Sequence, residues 1–110
     1  MLGRFFDTSA VDEYADWVVE EVKRTLPASY DPTLRNVSGK VERLDRRLAE
    51  RTATFTETSK LNLYQKARLA SRVREGMSAF GYPKPFVQTF SMDIVKRVIA
   101  ASRSRQSKPA

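Results

Sequence analysis

From Ser9 to Leu26 most of the apolar residues fall at helical spacing. Val11, Tyr14, Ala15, Val18, Val19, Val22 and Leu26 lie mainly three or four positions apart, and Pro27 stops the run. Side chains so spaced share one face of an α-helix and alternate between the faces of a strand. Ser9 followed by Asp12 resembles a capping box, with Asp standing for the usual Glu or Gln. Acids crowd the first turns, and Lys23 and Arg24 sit near the end, as the helix dipole favours.

Three further helices are predicted by the same reasoning. Leu34, Val37, Val41, Leu44, Leu48 and Phe55 step by three and four, with Arg51 at the missing step, and form a short heptad-like seam. This second helix begins either at Asp31, with Pro32 in its first position, or at Ser38. Thr52 to Ser59, rich in hydroxyls, reads as a helix end and turn; its Thr-Ala-Thr-Phe-Thr alternation also fits a short strand, but no partner strand is evident. A third helix runs from Thr58 or Ser59 to Gly81, a C-cap glycine. Its apolar face is Leu63, Ala67, Ala70, Val73, Met77 and Phe80, and its opposite face carries Leu61, Tyr64, Arg68, Arg72 and Glu75.

Tyr82-Pro83-Lys84-Pro85 reads as a stiff connector that breaks the helix firmly. The last helix lies between Phe86 and Arg103. It has one apolar face of Val87, Phe90, Ile94, Val98 and Ala101 and another of Met92, Val95 and Ile99. Two apolar faces place a helix at the centre of a bundle or share it with another chain. The expected fold is therefore all-α, a small helical bundle of about four helices. Residues 1–101 form a single helical domain, and residues 102–110 a flexible, disordered basic tail.

Composition narrows the chemistry. The 110 residues include neither Cys nor His. Disulfide frameworks, thiolate nucleophiles, Ser-His-Asp triads and histidine-bearing zinc sites are therefore excluded. The opening Met1-Leu2-Gly3-Arg4-Phe5-Phe6-Asp7 lacks the apolar core of a secretory signal, and no apolar run approaches a membrane span. A cytoplasmic location is the expectation. The glycines Gly3, Gly39, Gly76 and Gly81 form no phosphate-binding loop. Asp12, Glu13, Asp16 and Glu20 cluster opposite the apolar face of the first helix and read as a solvated or arginine-pairing stripe rather than a metal site. No enzyme activity, cofactor or metal is expected.

Charge is distributed unevenly. Residues 1–32 hold seven acids and three bases, a net of −4, whereas residues 33–110 hold six acids and seventeen bases, a net of +11. This polarity implies either an anionic partner for the basic part or neutralisation by the acidic part.

Two functions follow. The first is a non-enzymatic adaptor or regulator that binds another protein or forms a homo-oligomer. Trp17 and the second face of the last helix, Met92, Val95 and Ile99, supply its interface. Because so short a chain has a thin stability margin, self-association would be stabilising.

The alternative is non-specific nucleic-acid binding through Arg43, Arg46, Arg47, Lys66, Arg68, Arg72, Arg103, Arg105 and Lys108. Sequence-specific reading by a helix-turn-helix is disfavoured, because the last helix opens with Phe86, Val87 and Phe90 rather than with polar residues for base edges. The two functions divide on one question, whether the acidic helix masks the arginines.

Overall fold

The structure, a computed structural model, describes residues 7–26 and 38–106, with side chains over 7–26 and 39–103. Among these residues it contains α1 (Ser9–Thr25), α2 (Ser38–Thr58), α3 (Leu63–Phe80) and α4 (Lys84–Gln106). None of these helices is long and apolar enough to cross a membrane.

Four helix pairs pack directly: α1 with α3, α3 with α4, α4 with α2, and α2 with α1. The helices thus close a ring in which α2 and α3, though consecutive in sequence, stand across the diagonal. Asp12 meets Arg68 and Asp16 meets Arg72, a constant offset, so α1 and α3 run parallel. Tyr14 meets both Thr52 and Phe55, and Thr25 meets Arg47, so α1 and α2 are antiparallel. The last helix therefore lies on the ring between α2 and α3, with Val87, Ile94, Val95 and Val98 buried and Met92 left exposed.

The core is built from the stripes that periodicity marks in α1 and α2. Val11, Tyr14, Ala15, Val18, Val19 and Val22 are buried from α1, and Leu44, Leu48 and Phe55 from α2. Each fully buried valine or leucine contributes about 1.5–3 kcal/mol relative to exposure. Tyr14 stacks on Phe55, with ring centroids 4.3 Å apart and planes 3° from parallel, and its hydroxyl shares a hydrogen bond of 2.6 Å with Thr52.

Several boundaries differ from expectation. In α1 the cap position is Thr8, whose hydroxyl donates to Asp12 at 3.1 Å, while the Ser9 amide donates to Asp7 at 2.9 Å. Ser9 is therefore the first helical residue and not the cap. Thr52–Thr58 continues α2 instead of turning: Thr54, Thr56 and Thr58 return their hydroxyls to the carbonyls of Glu50, Ala53 and Phe55. Such back-bonding satisfies the hydroxyls without leaving the helix.

The third helix starts at Leu63, later than expected, where Asn62 and Gln65 form a reciprocal capping box. Its buried stripe is Leu69, Val73 and Met77. Leu63 and Phe80 are exposed at 83% and 43%, and Ala67 is exposed as well. Gly81 ends the helix at φ 104°, as a C-cap glycine should.

Pro85 does not delay the last helix. It occupies the first turn of α4, where no amide donor is needed, and the Val87 amide already reaches the Pro83 carbonyl at 3.0 Å. At the other end α4 runs to Gln106. The alternative start of α2 at Asp31, the seam positions Leu34 and Val37, and residues 107–110 of the expected tail lie outside the described residues.

Candidate functional site

The acidic face of α1 lies along the basic face of α3. Arg68 Nε reaches Asp12 Oδ1 at 3.0 Å, and Arg72 places Nε and Nη2 on the two Asp16 oxygens at 2.9 and 3.0 Å. Arg72 also approaches Asp12 at 3.9 Å. Bidentate arginine–carboxylate geometry is the strongest form of such pairing. The hydrogen bond from Arg72 holds the Asp16 carboxyl below its ordinary range.

Farther along α1, Glu21 is buried, with a side chain 9% exposed between Arg24 at 3.3 Å and Arg47 at 3.1 Å. On the far side of the ring Arg97 pairs with Asp93 at 2.8 Å and also with Asp45. Asp12, Asp16 and Glu21 thus spend their charge on Arg68, Arg72, Arg24 and Arg47 of the same chain.

The expected nucleic-acid contacts accordingly divide. Arg47, Arg68 and Arg72 are ion-paired within the fold. Arg43 is exposed and donates to the Gly39 carbonyl at 3.3 Å. Arg46 and Arg103 are exposed and Lys66 is partly buried, and none of the three makes an ion pair among the described residues. The Arg105 side chain and Lys108 lie outside the described residues. The described positions do not share one surface, since α2 and α3 stand across the ring.

The expected protein-contact residues also separate. Trp17 is partly buried at the edge of the core, with the Arg51 guanidinium 5.3 Å from its ring. Val95 is buried and Ile99 is partly buried against the core. Of the four, Met92 alone stands well out, at 49% exposure.

Two surface concavities were not anticipated. One lies between α2 and α4. Leu26, Val41, Leu44, Leu48, Phe86 and Phe90 form its floor and Asp45, Asp93 and Arg97 its rim, and it encloses about 150 Å³. The other lies at the α1–α2 corner, where Arg24, Thr25, Lys40, Arg43 and Arg47 surround about 240 Å³. The steps from Lys40 to Arg43 to Arg47 put those three on one helical face, which the sequence does display. The meeting with Arg24 and Thr25 depends on how α1 and α2 pack. Comparison with known protein families, with curated proteins and with solved structures returns no match to this chain.

Proposed function

We propose that this protein is a non-enzymatic helical adaptor or regulator that works by binding another protein. The observation that carries this reading is the pairing of Arg68 and Arg72 with Asp12 and Asp16 inside one chain. Guanidinium groups held by carboxylates are poor partners for phosphates, so the basic face of α3 loses most of its value as a nucleic-acid track. The same pairing removes the motive for a dimer held by exchanged acidic and basic faces. What the surface offers instead includes Met92, Phe80 and Leu63 as exposed apolar contacts.

Contact with nucleic-acid phosphates is the second reading. It draws specific support from the cationic α1–α2 corner. The test has two arms. Anisotropy of labelled mixed-sequence DNA and RNA is expected to show weak binding at low salt that vanishes at physiological salt. A photo-crosslinker installed at Met92 in cells is expected to capture protein. Steep salt-dependent DNA or RNA binding that persists at physiological salt, or crosslinks to nucleic acid, would overturn the adaptor reading.

A further inference from the structure

Four cationic side chains converge on the α1–α2 corner with one carboxylate among them. Arg24 comes from the end of α1, and Lys40, Arg43 and Arg47 come from the first half of α2. Glu21 is salt-bridged to Arg24 and Arg47, and Arg47 also donates to the Thr25 hydroxyl at 3.0 Å. Among the described residues, one acid against four cations leaves three positive charges in excess around the concavity. Glu21 therefore orients two arginines without neutralising the corner.

The start of α2 adds positive charge to the corner. The first turn of α2 contains Lys40 and no acid, although the helix dipole favours an acid there. Repulsion among the four cations adds to that cost.

The geometry points to an oxyanion site that takes a single phosphate monoester carried by a segment of a partner protein, an assignment that rests on the protein-binding reading above. Arginine forks beside a hydroxyl match the oxygens of a phosphate, and a phosphorylated side chain brings a charge of about −1.5 to −2.

The exposure of the site argues for a carried phosphate over a free ion. The Arg24 and Arg47 side chains are 75% and 47% exposed, so water screens each contact and the rest of the segment must add to the binding. The surroundings argue for one phosphate over a strand of them. Arg68, Arg72 and Arg97 are held by Asp12, Asp16, Asp45 and Asp93, so the three arginines at the middle of α3 and on α4 do not extend the corner into a row of free guanidinium groups.

The test uses the full chain. Amide NMR shifts are followed during titration with inorganic phosphate. A randomised peptide pool with one fixed phosphoserine, its unphosphorylated counterpart and a single-stranded DNA are then compared for retention on immobilised protein. Saturable shifts at Thr25, Gly39, Lys40 and Arg43 are expected, with phosphopeptides enriched at least tenfold over unphosphorylated ones. Combined Lys40→Ala and Arg43→Ala substitution is expected to lower retention at least tenfold without lowering thermal stability, because it removes repulsion rather than packing.

Unsaturable shifts spread over Arg74 and Arg103 and unchanged in that variant would overturn the site and leave the protein-binding reading standing. Phosphate shifts at the corner with no enrichment of phosphopeptides would overturn the assignment to a protein partner. DNA retained more strongly than the phosphopeptides would overturn it in favour of nucleic acid.

Discussion

Arg72 lays its guanidinium edge along the carboxylate of Asp16, Nε to one oxygen at 2.9 Å and Nη2 to the other at 3.0 Å. One turn earlier Arg68 meets Asp12 at 3.0 Å, so the two pairs form a ladder that fixes the register of parallel α1 and α3. A slide of either helix by one turn would leave an end pair unmatched.

Combined Asp12→Asn and Asp16→Asn substitution should release Arg68 and Arg72 to phosphates. The measurement is the salt dependence of binding to generic duplex DNA. The slope of log affinity against log salt should steepen by about two, close to 0.9 for each freed contact. An unchanged slope would mean that the arginines are not masked by these carboxylates.

The same pairing sets an acid dependence. The folded pKa of Asp16 is depressed, chiefly by its hydrogen bond from Arg72. Its contribution to stability is therefore present above the unfolded carboxyl value, about 3.9, and is lost as pH falls through the folded value. Because the Asp16 side chain is 57% exposed, the loss is small. Chemical denaturation between pH 5 and pH 2 of the native chain and of Asp16→Asn should show the difference between them shrinking as pH falls.

Tyr14 and Thr52 satisfy each other where water does not reach. Their residues are 1% and 3% exposed, and the shared hydrogen bond is 2.6 Å long. Tyr14→Phe and Thr52→Val should each cost about 1–3 kcal/mol, since each strands the partner hydroxyl. The double variant should cost less than the sum of the two, as a double-mutant cycle in urea would measure. Burial also pushes the Tyr14 phenol above its ordinary range. The stability linked to it is full below about pH 10 and is lost as pH rises through the folded value.

Gly76 of α3 packs closely against Val19 of α1. A Cβ added there would stand 3.0 and 3.1 Å from the two methyl carbons of buried Val19. Gly76→Ala gains about 1 kcal/mol of helix propensity, but it must displace a β-branched side chain with few rotamers. We expect a net loss of about 1 kcal/mol, within the range for overpacking. Val19→Ala should cost less in the Gly76→Ala background than in the native chain, and thermal unfolding of the four variants checks this.

Much of the fold is legible residue by residue. The stripe of Val11, Tyr14, Val18 and Val22, the seam of Leu44, Leu48 and Phe55, and the left-handed Gly81 all follow from spacing and glycine chemistry. The face of α3 is harder to read, because small and large apolar residues occur all round it. Leu69, Val73 and Met77 are buried while Leu63 and Phe80, at the two ends of the helix, are not.

Thr52 reads as a breaker by propensity, yet it stays helical because Tyr14 supplies its hydrogen bond. Arg68 and Arg72 are visible as charges, but their partners lie a whole helix pair away in sequence. The α1–α2 corner is hidden for the same reason, since only packing brings Arg24 beside Lys40 and Arg43.

The parallel pairing of α1 with α3 has a consequence for how the chain is made. As α1 and α2 leave the ribosome they can meet each other, but the surfaces that receive them, Leu69, Val73 and Met77 on α3 and Val87, Ile94 and Val98 on α4, have not yet been synthesised. The Tyr82 hydroxyl that reaches the Val22 and Leu26 carbonyls at the end of α1 also arrives late. The nascent chain therefore carries an open apolar stripe through most of its synthesis. That stripe stays uncovered until α3 and α4 exist and the ring can close.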